Sequence, residues 1–310
     1  MRSTNRVIPS VGTAARPSIL GASTEGLARG HSALIRRWVM TSVMSAAAVF
    51  WLLPVLWVVV TSLKTPPDII RVPPEWIPWP VTAEHYREVL FSSSRTARIG
   101  RAFLNSAIIS VGSVALVLVT SAMAAYPLAR MRFPGRNVIF AALVGSLMVP
   151  GVVTLVPQYI LIQQLGWLSS FQGLIVPEAG MTLAFGVFLL RQFFLSIPTE
   201  LEDAARIDGA NAWQIFTRII LPLSHPAIAA LAIFAFRSAW NDFLWPLIAV
   251  NKPDMFPLPV ALALLRGAYS SESYGPIMAS AALSAVPLFV VFLIANRRIV
   301  EGMQLSGLKG

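Results

Sequence analysis

Six long apolar stretches, separated by shorter polar segments, dominate the hydrophobic pattern of the 310-residue chain. At about 1.5 Å per residue, each stretch is long enough as a helix to cross the roughly 30 Å of hydrocarbon in a bilayer. A helix also satisfies its own backbone N–H and C=O groups where there is no water. The pattern therefore predicts an all-α membrane protein, a bundle of six transmembrane helices at 38–63, 103–128, 138–162, 174–195, 227–250 and 277–295.

Composition excludes a water-soluble fold. Hydrophobic residues make up 56% of the chain and charged residues only 12%, whereas about a quarter of an ordinary soluble domain is charged. The net charge of +10 would indicate nucleic acid in a soluble protein. Here the basic residues are spread over several loops, which is typical of the cytoplasmic side of a membrane protein. We therefore expect a lipid bilayer and no nucleic acid as the environment of this chain.

The distribution of basic residues sets the orientation. Of the 24 lysines and arginines, 15 fall in the two termini and in the loops on the same side, 8 fall on the opposite side, and Arg237 lies within a span. Because Lys and Arg accumulate in cytoplasmic loops, both termini and the loop 196–221 are predicted to be cytoplasmic. The predicted domains are a mobile cytoplasmic tail (1–37), a six-helix transmembrane domain (38–300) and a short cytoplasmic tail (301–310).

Two local patterns predict further structure around the second span. Six prolines within 65–81 favour an extended segment, because proline lacks the N–H that a helix needs. Thr82 then caps a short helix through about Phe91, predicted to lie on the outer surface of the membrane. Small residues in the second span predict close helix packing: Gly112, Ser113, Ser121, Ala122, Ala124 and Ala125.

Several kinds of chemistry have no support in the sequence. The chain has no cysteine, and its three histidines lie far apart, so no metal site is predicted. No GxxxxGK[ST] phosphate loop occurs, and this motif is how many proteins hold ATP. We expect no catalytic residue, no metal and no bound ATP in this chain.

The predicted cytoplasmic loop between spans four and five is unusually well specified. Thr199 and Glu202 match a capping box, and the acidic residues of the first turn suit a helix N-terminus. Asp208-Gly209 is expected to end this helix, because glycine adopts a positive φ at low cost, and a second helical segment follows at about 211–221. A passive connector is the simplest interpretation. Against it, the loop builds a whole helix outside the membrane, and Ala204 and Ala205 would allow close approach of a partner.

This loop resembles the EAA loop of the permease subunits of ABC importers. The resemblance rests on Glu202, Asp203, Ala204, Ala205, Asp208, Gly209, Ala210 and Phe216, followed by Leu221-Pro222. It implies that the loop is a coupling helix that fits a cleft on an ATPase subunit. Asp203 stands where the family usually has Glu.

Other segments resemble the maltose-type, MalG-like branch that takes up carbohydrates. They are Thr61-Ser62-Leu63-Lys64, Asn105-Ser106, Ala125-Tyr126, the run Arg130-Met131-Arg132-Phe133-Pro134-Gly135-Arg136, Trp240-Asn241-Asp242-Phe243, Leu258-Pro259, and the tail from Glu301-Gly302 to Gly307-Leu308-Lys309-Gly310. His85 departs from the Asn of many members, and Asn296-Arg297-Arg298-Ile299-Val300 replaces the usual aromatic sequence.

The resemblance implies a type I ABC-importer permease in the cytoplasmic membrane, which is one subunit of a larger machine. Its implied partners are a second permease, expected to be a different chain, two ATPases that carry ATP and Mg²⁺, and an extracytoplasmic solute-binding protein. The tail residues Gly307, Leu308, Lys309 and Gly310 are implied to help dock the ATPase.

A candidate solute path lies at Trp240, Asn241, Asp242 and Trp245. An Asp at bilayer depth normally faces a cavity or a partner, and Trp can stack on the apolar face of a sugar. Alternatively, these residues lie near the outer interface, where Trp is common. A sugar, a sugar alcohol or glycerol phosphate would each fit the resemblance.

Two other classes of function, a secondary transporter and a membrane enzyme, fit the sequence less well than an ABC-importer permease. A secondary transporter driven by an ion gradient needs charged relays deep in several spans, and nearly all charges here lie in loops. A membrane enzyme needs a cluster of His, Asp or Glu at one face, which the sequence does not show. Neither class requires the loop at 199–221.

The basic-residue asymmetry generates a direct test of topology. Because the chain has no cysteine, single cysteines can be labelled without background. Ser93→Cys and Ser271→Cys should react with an impermeant thiol reagent in intact cells, and Ser3→Cys and Asn211→Cys should not. The opposite labelling pattern would overturn the predicted orientation.

Overall fold

A computed structural model describes the backbone of residues 19–91, 99–268 and 274–307, and over these ranges all regular structure is helical. The helices are α1 Ile19–Ser62, α2 Pro66–Ile69, α3 Glu84–Phe91, α4 Ile99–Arg130, α5 Arg136–Ser146, α6 Gly151–Gln164, α7 Phe171–Ser196, α8 Glu200–Ile207, α9 Ala212–Ile215, α10 Leu221–Leu223, α11 His225–Asn241, α12 Leu244–Ala249, α13 Leu258–Ala268 and α14 Tyr274–Gly307. A π-helical turn, Phe216–Ile220, joins α9 to α10, and a 3₁₀ turn, Pro253–Met255, precedes α13.

The chain divides into two units, residues 1–56 and 57–310. The first unit is described from Ile19 onward as the greater part of α1, and its side chains are exposed from Arg36 to Leu56. Residues 19–37 of the predicted tail are helical, and the mobility of the tail stays a prediction. This segment contains several good helix formers, Ala, Leu and Arg, and no proline. The rest of the predicted tail, 1–18, lies outside the described residues.

The second unit is built around α4, α7 and α11, whose buried side chains form its largest apolar cluster. Small residues let these helices approach closely, as predicted for the second span. A Cβ added to Gly186 of α7 would lie 2.3 Å from the Ser121 hydroxyl of α4, and one added to Gly112 would lie 2.7 Å from Ile175 Cδ1. In a bilayer, such close van der Waals packing is a main force that holds helices together.

The count of six spans holds only if bent helices count as one span each. Within the described residues, four helices are continuous and apolar enough to cross a membrane: residues 36–62, 99–130, 171–196 and 274–294. The third predicted span is instead α5 and α6, bent by 100°, and the fifth is preceded by a 75° bend at Ser224. Prolines lie at both breaks (Pro150, and Pro222 with Pro226), where each lacks the N–H that would continue a helix.

The fifth span also ends earlier than predicted. A continuous helix was expected over 227–250, but α11 ends at Asn241, and Asp242 is extended, with φ −65° and ψ 124°. A short acidic side chain such as Asp242 competes with a helix for backbone donors. A separate helix, α12, then begins at Leu244.

The segment before α4 is folded onto the protein. Thr82 Oγ1 accepts a bond from the backbone N–H of Glu84 at 3.2 Å, as predicted for a cap. His85 and Val89 of α3 are buried, a contact with the bundle that the sequence did not predict, and the position of this helix at the membrane surface stays a prediction. His85 is fixed by a 2.9 Å bond between its Nε2 and the Lys64 carbonyl. The predicted extended segment, 65–81, also contains one helical turn, α2, because proline at the first helical position loses no hydrogen bond.

Two motifs of the sequence meet near the N-terminal end of α4. The Asn105 side-chain amide donates to the carbonyls of Asp254 (2.8 Å) and Phe256 (3.1 Å). The neighbouring Ser106 hydroxyl accepts from the Leu258 N–H at 2.8 Å. Asn105-Ser106 and Leu258-Pro259 therefore belong to one structural unit, which holds the loop at 254–258 and the start of α13 against α4.

Candidate functional site

The loop between α7 and α11 forms two helical segments joined by a tight turn. Helix α8 ends at Ile207, and the turn is closed by a 2.9 Å bond from the Ala210 N–H to the Ala205 carbonyl. Gly209 has φ +84°, and no atom lies within 4 Å of the position that a Cβ would occupy. The predicted positive φ is confirmed, and the need for glycine here arises from the backbone conformation and not from lack of space.

The helix start differs from the prediction. Thr199 makes no side-chain capping bond, and its backbone is already helical, with φ −68° and ψ −24°. The capping box lies instead at the second segment, where the Asn211 and Gln214 side chains each accept from the other's backbone N–H at 2.9 and 2.8 Å. The same four-residue signal, Asn-x-x-Gln, is present in the sequence and was overlooked there.

Glu202 does not form the predicted capping box with Thr199. Its carboxylate instead forms a buried ion pair with Arg130, the last residue of α4. The distance from Arg130 Nε to Glu202 Oε1 is 2.9 Å, and the two side chains are only 7% and 3% exposed. Arg130 Nη2 also donates to the carbonyls of Phe194 (2.6 Å) and Ile197 (2.5 Å), at the end of α7. One guanidinium thus joins α4, α7 and α8.

Two other arginines surround this junction. Arg206 of α8 contacts Glu202 at 3.3 Å and Asp203 at 2.9 Å, but its side chain is 53% exposed. An exposed pair of this kind contributes only about 0–1 kcal/mol. Arg191 of α7 donates from Nε to the Leu128 carbonyl at 3.0 Å and covers the Phe140 ring at 3.9 Å. Arg191 therefore links α7 to α4 through a hydrogen bond that does not involve α8.

The predicted coupling residues divide between two faces of the loop. Glu202, Ala205, Ala210 and Phe216 face the body of the protein, whereas Asp203, Ala204, Asp208 and Gly209 are exposed. We correct the expectation that Ala205 offers its small side chain to a partner, because it packs against the core of its own chain. Ala204 does face outward, as predicted.

Sequence reasoning missed two apolar members of the outward face. Leu201 and Ile207 are exposed, Ile207 by 87%. With Ala204 between them they form an outward row in which each residue lies three positions from the next, a spacing that puts side chains on one side of a helix. This spacing was the available signal.

Downstream of the turn, Phe216 connects the loop to α4. Its ring lies 5.0 Å from that of Tyr126, and it begins the π-helical turn, in which the Leu221 N–H bonds to the Phe216 carbonyl. The chain then bends at the buried Ser224, whose hydroxyl donates to the Ile220 carbonyl at 2.7 Å. π turns are frequent at functional sites, and this one lies between the loop and α11.

The four residues of the candidate solute path do not form one surface. Trp240 and Trp245 are buried in different apolar clusters, and their indole N–H groups donate to the carbonyls of Ser284 and Gly173, each at 3.0 Å. Asp242 is half-buried, and of the four only Asn241 is exposed. A role in solute passage stays a prediction.

Of the candidate docking tail, Gly307 ends α14, and 308–310 lie outside the described residues.

Residues 117–304 match the family model described as the binding-protein-dependent transport system inner membrane component. The match covers more than half of the chain, which therefore belongs to this family of multi-pass membrane permeases.

Individual relatives support the same membership. The chain is 34% identical to the diacetylchitobiose uptake system permease protein NgcG of Streptomyces coelicolor, over 88% of this chain and 90% of that protein. It is 33% identical to the trehalose/maltose transport system permease protein MalG of Thermococcus litoralis, over 85% and 93%. It is 35% identical to the trehalose transport system permease protein SugB of Mycobacterium tuberculosis, over 84% and 93%.

A solved structure shares the fold. The crystal structure of a bacterial ABC transporter involved in the import of the acidic polysaccharide alginate contains a chain that matches with a TM-score of 0.72. The match covers 86% of this chain and 97% of that chain, at 24% identity. This likeness confirms the predicted fold class, that of a type I ABC-importer permease.

The turn at Gly209 generates a prediction that separates conformation from size. Gly209→Val should cost about 1–2 kcal/mol of local strain, because the left-handed region brings a Cβ close to the following carbonyl. Gly209→Asn is the matched control, since Asn adopts this region more readily. Thermal unfolding of the purified protein should show a lower midpoint for the Val variant than for the Asn variant. Equal midpoints would contradict the assigned role of the positive φ.

Proposed function

We propose that this permease subunit moves a carbohydrate or a related polyol by alternating access, driven by ATP hydrolysis on a separate ATPase that docks against α8. The curated relatives described above are named for uptake of diacetylchitobiose, trehalose/maltose and trehalose. Their shared chemistry supports a neutral saccharide as the solute of this chain. A sugar alcohol or glycerol phosphate would also suit the same branch.

The observation that carries the proposal is the two-faced character of α8. Its inner face is fixed to α4 and α7 by Glu202 and Ala205. Its outer face exposes Leu201, Ala204 and Ile207. An exposed apolar row beside a structural ion pair is typical of a contact site for another protein. Acidic Asp203 and Asp208 flank the row, so a basic cleft on the ATPase would complement it.

The complete importer would contain four further subunits besides this chain. They are a second permease of different sequence, two ATPases that hold ATP and Mg²⁺, and an extracytoplasmic solute-binding protein. Support for the last comes from the family description as a binding-protein-dependent system. In this division of labour the chain carries no cofactor and performs no catalysis, and its termini face the cytoplasm.

Solute passage would take place at the outer half of the bundle. Asn241 is the exposed member of the candidate path, and Arg237, whose carbonyl it bonds at 3.0 Å, is exposed beside it. Exposed polar side chains at bilayer depth are costly in lipid, which favours a water-filled path or a partner subunit next to this face of α11.

Docking of the ATPase on α8 is tested by changing the size of Ala204. Ala204→Trp should clash in a packed cleft at a cost of about 1–3 kcal/mol, equivalent to a loss of ATPase affinity of about 5- to 150-fold. Ala204→Ser is the matched control and should retain binding. In vesicles that contain the whole importer, uptake of radiolabelled trehalose, maltose and diacetylchitobiose is measured together with ATP hydrolysis. Full uptake by the Trp variant at normal membrane levels would contradict the proposed coupling role.

The C-terminal tail is proposed to contribute a second docking contact. Removal of Gly307, Leu308, Lys309 and Gly310 should reduce the amount of ATPase that co-purifies with the permease. The permease itself should still reach the membrane at its normal level, because the deletion lies beyond the last span. Unchanged co-purification and unchanged uptake would reject a role for the tail.

A further inference from the structure

The junction of Arg130 and Glu202 has a geometry that packing alone does not require. We propose that these two residues form a positioning pair that passes movement of α8 to the cytoplasmic ends of α4 and α7. The inference rests on the proposed docking of the ATPase on α8, and it identifies how that movement enters the bundle. Neither residue contacts solute or nucleotide in this scheme, because each acts through the helices that it joins.

The first supporting observation is the burial of the Arg130 and Glu202 side chains. Both side chains are more than nine-tenths buried, and the removal of two charges from water is costly even when they pair. A pair of apolar side chains would hold α4 and α8 together as well or better. The ion pair is therefore poorly explained as a source of stability. What it adds over apolar contact is a fixed relative position of the groups that it connects.

Geometry is the second observation. Arg130 Nε lies 2.9 Å from Glu202 Oε1 as an ion pair that is not aligned as a hydrogen bond, whereas Nη2 donates to the carbonyls of Phe194 and Ile197. A guanidinium is planar and rigid, so the two Nη2 bonds fix its orientation, and charge attraction holds Glu202 beside it. When Glu202 moves, either buried bonds break or Arg130 follows with the ends of α4 and α7. The second outcome preserves every bond.

The third supporting observation is the position of Glu202 on α8. Glu202 and Ala204 are two residues apart, which places them on nearly opposite sides of a helix with about 3.6 residues per turn. A force applied by a partner at Ala204 therefore acts on a helix whose other side is fixed to Arg130. Of the arginines at this junction, Arg206 lies at the exposed edge and Arg191 reaches α4 without contact to α8.

The test follows movement of α4 without knowledge of the solute. Met123 lies about two turns before Arg130 and is 53% exposed, beside a cavity also lined by Tyr126 and Trp213. Since the chain has no cysteine, Met123→Cys gives a single labelling site. The importer, with its second permease and ATPases, is placed in vesicles, and the rate of reaction with a maleimide is compared with and without MgATP and vanadate.

Glu202→Gln is the main variant, because it keeps the size of the side chain and its ability to hydrogen-bond while it removes the charge. Arg191→Met is the matched control, since it removes an arginine bond between α7 and α4 that does not involve α8. Allosteric couplings are typically worth about 5- to 150-fold. We expect MgATP and vanadate to change the labelling rate at least about fivefold in the parent and in Arg191→Met, and less than about twofold in Glu202→Gln.

Two further measurements make the result decisive. Co-purification of the ATPase should be unchanged in Glu202→Gln, which shows that α8 still docks. The double variant Arg130→Met with Glu202→Leu removes both charges, and it should assemble but also lose the response. A normal response in Glu202→Gln or in the double variant would overturn the positioning role. Absence of any response in the parent protein would instead contradict the proposed ATP-driven function.

Discussion

The end of the bundle that carries α8 depends on one buried charge, the Arg130 guanidinium, which has partners on α7 and α8. Arg130 ends α4 where the chain leaves the membrane, and its guanidinium meets a carboxylate of α8 and two carbonyls at the end of α7. Those carbonyls lie at the C-terminal end of α7, where the Phe194 carbonyl also accepts from the Ile197 N–H at 3.3 Å. The same residue thus adds bonds to the end of α7 and holds α8, so the orientation of α8 depends on how α7 ends.

The opposite end of the bundle is held by a different kind of bond. Asn105 and Ser106 bind backbone groups of the loop at 254–258, and Trp245 donates its indole N–H to the Gly173 carbonyl. All of these groups are neutral, so they carry no large cost of desolvation. Neutral side-chain bonds to backbone keep the loops at that end in place, whereas the buried ion pair of Arg130 and Glu202 lies beside α8, where a partner is proposed to act.

Predictions from the sequence succeeded where a residue type or a run of residues has one dominant physical reason to occur. Gly209 was assigned a positive φ because few other residues tolerate it, and the apolar runs predicted spans because water-free segments must bond internally. The predictions failed where the role of a residue depends on contacts with residues far away in the sequence. Glu202 fits a capping box when only Thr199 is considered, but its partner is Arg130, more than sixty residues earlier. Ala205 was assigned to a partner because its packing against the core could not be read from its neighbours.

The breaks in the third and fifth spans escaped prediction for a related reason. Proline in a membrane helix often produces only a kink, so the sequence did not distinguish a kink from a bend of 75° or 100°. At Ser224 the bend is stabilised by a hydroxyl that bonds the Ile220 carbonyl, next to a π turn that has already shifted the hydrogen-bond register. The loop is therefore attached in two unequal ways. Toward α4 and α7 it is held by the buried contacts of Arg130, and toward α11 it continues through a π turn and a bend at Ser224.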